Sequence, residues 1–311
     1  MFSKYSLKKI RIIGEKIESQ IGSPIILIGM HRSGTSLVTR MLRQVGGYFG
    51  DALEKNSEPQ AFIAINDAIL DSLGVKWNNP TPGIYDDIEN NSALICELLL
   101  SNIQVLRDGF FESYGKRGKE NPCAPRFKIN REKAGMINMF LQRNQLLPNH
   151  DCSNGIPFWG WKDPRNTITL NIWLKMFPHA KVINVKRNGI DSALSLNARA
   201  KKSGAGMPMC GDVLYCFNLW EKYNELCDMH SSRCNNYYSL RYEDLMDDPK
   251  SEISNLMQFL NIPLDSSNLN TLIKMSDSRP LPIEKWVKHP ELVNIARHSR
   301  LFEKYGYRQY V

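Results

Sequence analysis

The chain has 311 residues, 42% hydrophobic and 23% charged, with a formal net charge of +8 and seven cysteines. That length can bury one large core, and the composition excludes a fibrous, low-complexity or disulfide-framework protein. The positive balance favours an anionic partner. Because the basic residues are scattered, a polyanionic small molecule is expected rather than nucleic acid.

The first 22 residues read as a basic amphipathic helix with Ile10, Ile12, Ile13 and Ile17 in its stripe. Docking of this helix on the domain is expected, with weak peripheral membrane contact as the alternative. It lacks a signal peptide's apolar core and cleavage site, and no apolar run approaches the ~18 residues needed to span a bilayer. Cys96, Cys123, Cys152, Cys210, Cys216, Cys227 and Cys234 form no CxxC pair. A reduced, cytoplasmic protein without an integral membrane segment is the simplest reading.

Next, the β-branched run Ile25-Ile26-Leu27-Ile28 stops at Gly29, turns through His31-Arg32-Ser33-Gly34, and resumes as a helix from Thr35. This is strand, anion-binding loop, helix. The free N–H groups and dipole of such a helix start suit a phosphate or sulfate. The spacing Gly29-x4-Gly34-Thr35-Ser36 resembles a Walker A loop, with threonine where the lysine should stand.

More than 120 residues separate this strand from the next clear one. They read as helices and loops inserted at 50–156, broken at Asn78–Gly83, Gly115–Pro125 and Leu147–Gly155, and suited to acceptor recognition. A second buried strand is expected at Phe158–Lys162. Asp163-Pro164 then starts a helix as N-cap and first-position proline, ending near Pro178. Ala180–Lys186 reads as a strand, with a helix from about Asp191 and a long helix over Gly211–His230. A strand at Asn236–Leu240 follows, then a helix capped by Asp248-Pro249 and running to Leu260. A last helix opens at Pro290 and ends near Tyr305. The alternation implies an α/β fold with a parallel central sheet of about four or five strands flanked by helices, in one domain over 1–311.

In such a sheet the segments after the strands carry the chemistry. Here they are the Arg32 loop, Lys162-Asp163-Pro164-Arg165 and Lys186-Arg187-Asn188, all basic. A nucleoside triphosphatase would have a loop lysine and a strand ending in aspartate for Mg²⁺. Cations stand in those places, and His150, His179, His230, His289 and His298 have no metal-ligand spacing, so no metal is expected. Trp159, Trp161 and Trp173 read as core.

With these blocks in this order, the chain resembles the PAPS-dependent sulfotransferases of bacterial and tyrosylprotein type. His31-Arg32-Ser33-Gly34-Thr35-Ser36 is similar to their 5′-phosphosulfate loop. Val185-Lys186-Arg187-Asn188-Gly189 through Ser195 is similar to their 3′-phosphate segment. Trp161–Arg165 and Leu240-Arg241-Tyr242-Glu243-Asp244-Leu245 match further blocks. The resemblance implies sulfonyl transfer from PAPS, leaving 3′,5′-ADP, to a hydroxyl or amine of a saccharide or small natural product.

It further implies that Arg32, Ser33, Gly34, Thr35 and Ser36 hold the phosphosulfate and that Arg187 and Ser195 hold the 3′-phosphate. Tyr242 is placed at the adenine side and Lys162 at the transferring group. A loop Ser276-Asp277-Ser278-Arg279, with Lys285 and Lys288, closes over the nucleotide. Glu54 is the candidate base, with Glu58 and Asp51 as rivals; Ala64 stands where many bacterial relatives carry glutamate. Two other function classes remain: a Mg²⁺-dependent P-loop kinase or nucleotide phosphotransferase, and a non-enzymatic binder of nucleotides or polyanions. Oligomeric state is unspecified.

Overall fold

The computed structural model describes residues 2–50, 53, 56–81, 83–106, 158–203, 207–277 and 289–308. The candidate residues Asp51, Glu54, Arg279, Lys285 and Lys288 lie outside them, as do the breaks expected at 115–125 and 147–155.

In chain order the elements are α1 (Phe2–Ile21), β1 (Ile25–Ile28), α2 (Thr35–Gln44), α3 (Gln60–Ser72), α4 (Ile84–Asn90), α5 (Ser92–Ser101) and α6 (Ile103–Leu106). Then follow β2 (Gly160–Lys162), α7 (Asn166–Met176), β3 (Lys181–Lys186), α8 (Gly189–Ser203) and α9 (Val213–Ser231). The chain closes with β4 (Tyr237–Arg241), α10 (Tyr242–Asp247), α11 (Pro249–Leu260), α12 (Ser266–Asp277), α13 (Pro290–His298) and α14 (Arg300–Lys304). The four strands make the expected parallel sheet, ordered β2-β1-β3-β4. No helix among the described residues is long and apolar enough to cross a membrane.

The chain packs as two compact units, one of residues 1–27 and 45–182, the other of 28–44 and 183–311. In the first, β1 and β2 pair in register Ile25↔Gly160, Ile26↔Trp161 and Leu27↔Lys162. Trp161 stacks on Phe62 of α3 at 4.1 Å and meets Trp173 of α7 edge-on at 5.1 Å. Trp159 donates its indole N–H to the Gly22 carbonyl (2.8 Å). All three tryptophans are fully buried, as expected of core.

Beside these rings lies a knot of polar side chains centred on Asn66. Its amide donates to Asp163 and Asn166, both at 2.9 Å, while its carbonyl oxygen accepts from Thr169 (2.7 Å) and the Trp173 indole (2.9 Å). Asn66 therefore uses both ends of its side chain inside the core, where an unmade hydrogen bond is costly. Helix α1 docks on α5 and α7 of this unit through Ile10, Ile13 and Ile17, all buried. Ile12 departs from the expected stripe: it is 52% exposed. Gly14 lets the helix approach closely, since a Cβ there would lie 1.5 Å from the Met176 carbonyl oxygen.

In the second unit, Asp248 accepts from Ser251 N–H and caps α11 as expected. Other boundaries move for identifiable reasons. The helix expected at Asp163-Pro164 starts at Asn166, because Asp163 accepts the Arg165 N–H within a turn that precedes the helix. Helix α8 starts at Gly189 rather than Asp191, because Asn188 accepts the Ile190 N–H (2.9 Å). A 3₁₀ turn, Pro208–Gly211, precedes the long helix, which starts at Val213 where Asp212 caps it. The single last helix is two, divided at Ser299, whose hydroxyl accepts the Phe302 N–H. Ser276 and Asp277, expected in a loop, end α12.

Two stability outcomes follow. Asn66→Ala strands the Trp173 indole donor and takes a donor from one Asp163 oxygen, and is expected to cost on the order of 3 kcal/mol in urea denaturation. Gly14→Ala is expected to cost about 2 kcal/mol by forcing α1 off α7.

Candidate active site

The sulfotransferase-like residues fall into two groups, one in each unit. In the second unit, the chain leaves β1 through Gly29 at φ 127°, Arg32 at φ 75° and Gly34 at φ 105°. A Cβ on Gly29 would sit 2.5 Å from the Val185 carbonyl oxygen, and one on Gly34 would sit 2.5 Å from the Tyr242 ring. Both positions therefore need glycine for space as well as for φ. Arg32 has no such freedom; a non-glycine residue there is strained by about 1–3 kcal/mol and persists because its surroundings hold it.

Those surroundings are specific. The Arg32 side chain donates from Nε to Ser195 Oγ (2.9 Å), and its carbonyl oxygen accepts from Arg187 Nη1 (3.2 Å). The Arg187 guanidinium lies 4.9 Å over the Tyr242 ring, and that ring backs onto Gly34. Arg32, Ser33, Gly34, Thr35, Ser36, Arg187, Ser195 and Tyr242 are thus all in this unit, tied through the loop. Ser33 is buried, with no protein partner for its Oγ.

The turn that carries Arg187 is pinned as well. Its carbonyl accepts from the Trp220 indole (2.9 Å), and the next N–H, on Asn188, donates to Glu243 Oε1 (2.8 Å). Gly189 fits tightly, since a Cβ would meet Phe217 and Trp220 at 2.8 Å. Burial pushes the Glu243 carboxyl above its usual range, opposed by the Asn188 N–H.

Lys186 corrects the sequence reading. It does not join Arg187 as a second cation of the loop: its Nζ is 3.8 Å from Asp228 and 4.0 Å over the Tyr305 ring. Successive side chains on a strand point to opposite faces, so only one of this basic pair serves either side. Lys304 holds the other Asp228 oxygen at 2.6 Å.

In the first unit, Lys162 ends β2 almost wholly buried and donates to Glu58 Oε1 at 2.8 Å. Burial pushes the Glu58 carboxyl above its usual range, with Lys162 pulling the other way. Asp163, fully buried, accepts from the Arg165 backbone and guanidinium (3.0 Å each) and from Asn66. Arg165 Nε also holds Asp67 at 2.6 Å. Lys162 and Glu58 are therefore a tight ion pair set beside a second, interlocked one. No group of three or more metal-ligating side chains occurs among the described residues.

The sequence reading had no place for Asn66, Trp220 or Tyr307, and named Asn188 only as part of the Arg187 segment, without its role in the turn. For that role Asn188 carried a local signal, an asparagine ahead of Gly-Ile-Asp where a helix cap belongs. The other three act across long sequence separations.

Among solved structures, the sulfotransferase domain of the Synechococcus PCC 7002 olefin synthase is similar at 15% identity and TM-score 0.41, over 88% of this chain and 93% of that one. Sulfotransferase STF9 from Mycobacterium avium is similar at 14% identity and TM-score 0.43, over 89% and 73%. A curated relative, an uncharacterized protein of Aquifex aeolicus (strain VF5), is 30% identical over 106 residues, covering 33% of this chain; the chain spans only 14% of that relative's length. The sequence model described as "Sulfotransferase family" matches residues 24–266, which include both groups of residues above and most of the chain. The chain belongs to the sulfotransferase family.

Proposed function

We propose that this protein transfers a sulfonyl group from PAPS to a hydroxyl or amine of a saccharide or small natural product, by in-line displacement without a metal. The observation that carries this reading is the Arg187–Arg32 arrangement. Two guanidinium groups and a helix N-terminus are organised around a loop with no lysine, where a triphosphatase would place lysine and Mg²⁺.

In this reading Arg32, the Ser33–Thr35 backbone and the Thr35 and Ser36 hydroxyls hold the phosphosulfate. Arg187 and Ser195 take the 3′-phosphate, with arginine offering a bidentate grip. Lys162 stabilises charge on the leaving oxygen, a contribution of about 3 kcal/mol for one preorganised donor. Glu58 takes the acceptor's proton. Burial raises its affinity for that proton, which brings a carboxylate nearer to the proton it must accept. Arg279 and Lys288 are assigned to the nucleotide by the family resemblance alone, and Glu54 remains the comparison for the base. The reaction is placed in the cytoplasm.

Thermal stabilisation separates this reading from a kinase. At 100 times its dissociation constant 3′,5′-ADP is expected to add about 2.7 kcal/mol of stability, well above ATP–Mg²⁺ at equal concentration, and Arg187→Ala is expected to abolish the difference. Stronger stabilisation by ATP–Mg²⁺ would overturn the donor assignment. With PAPS and a panel of hydroxyl acceptors, Lys162→Ala is expected to lower turnover roughly 100-fold. Since the raised Glu58 carboxyl stays protonated to higher pH than an ordinary one, activity should fall as pH drops through that raised value. Glu58→Gln should lose both turnover and this acid limb; an unchanged limb, or its loss in Glu54→Gln instead, assigns the base elsewhere.

A further inference from the structure

The Arg187 turn is held from a part of the chain that the family segment does not include. Tyr307, past the end of α14 and outside residues 24–266, is fully buried and donates its hydroxyl to Glu243 Oε2 (3.1 Å). The other oxygen of the same carboxylate takes the Asn188 N–H (2.8 Å). Glu243 is thus a two-ended bridge, with a C-terminal tyrosine at one end and the residue following Arg187 at the other. The Trp220 indole fixes the carbonyl on the other side of that peptide link. Trp220 in turn packs against Tyr305 and Tyr307, at ring separations of 6.2 and 6.4 Å.

We propose that Tyr307 and Glu243 are positioning residues for nucleotide selection: together they set the Arg187 turn in the orientation that grips a 3′-phosphate. The proposal rests on the PAPS reading above and deepens it. Three physical points support it. Arginine recognises phosphate bidentately only when its plane is correctly aimed, so backbone placement at Arg187 controls affinity. Both backbone groups flanking Arg187 on its C-terminal side are already committed, one to Glu243 and one to Trp220, which removes rotational freedom from the turn. Burial holds the Tyr307 phenol well above its ordinary range, so it remains a hydrogen-bond donor to the carboxylate throughout the working pH range. Neither residue need touch the nucleotide.

The test compares 3′,5′-ADP with 5′-AMP, which lacks the 3′-phosphate, by calorimetric titration of the full chain. The wild type is expected to prefer 3′,5′-ADP. Tyr307→Phe, which removes one oxygen and keeps the ring, is expected to weaken 3′,5′-ADP binding roughly fivefold while leaving 5′-AMP binding where it was. Glu243→Ala should do the same more strongly, and Glu243→Gln should restore much of the selectivity, since its carbonyl oxygen still accepts the Asn188 N–H. If Tyr307→Phe retains the full preference, or weakens both nucleotides alike, the inference is overturned while the donor reading stands. A wild type without any preference for 3′,5′-ADP overturns the donor reading and this inference with it.

Discussion

Arg32 at φ 75° is the constraint on which the loop between β1 and α2 depends. An L-residue in that region is strained unless its neighbours hold it, and here they do so at both ends of the residue. The side chain is taken by Ser195 and the carbonyl oxygen by Arg187. The same two contacts bring the loop after β1 and the segment after β3 into one arrangement. Strain in the loop and convergence of the cations are therefore one feature. Gly29 and Gly34 complete it, since neither position has room for a Cβ.

The first unit solves a different problem, that of keeping a lysine in the core. A buried ion pair contributes little to stability, because desolvating both charges offsets most of their attraction. Lys162 and Glu58 are consequently better understood as an oriented pair than as a brace. Their neighbours are oriented too: Asp163, Arg165 and Asp67 interlock, and Asn66 ties Asp163 to Asn166, Thr169 and Trp173. The end of β2 is thereby held from several sides at once.

Outside the family segment, the C-terminal aromatic residues extend the second unit's core toward the site. Phe302, Tyr305 and Tyr307 pack with Trp220, and two of their hydroxyls end on carboxylates, the half-buried Asp228 and the buried Glu243. Asp228 also engages Lys186, whose charge is thereby committed to packing rather than to the loop. A strand end that looks doubly basic in sequence thus leaves one cation, Arg187, beside the Arg32 loop.

By itself the sequence determined the α/β class, the strands and the loop residues, because these follow from local rules. Buried strands are β-branched runs, a tight strand-to-helix loop needs glycines, and Asp248-Pro249 caps a helix wherever it occurs. Boundaries failed where a side chain had a choice of partner: Asp163 closes a turn, Asn188 starts α8 early and Ser299 divides α13 from α14. Only the tertiary structure decided which charges are available. It paired Lys162 with Glu58, assigned Lys186 to Asp228, and joined Asn188 to Glu243 and Glu243 to Tyr307, partners between 42 and 104 residues apart in the chain. The physical reason is that a buried charge takes its role from the groups that desolvate and pair it, and spacing along the chain does not encode which groups those are.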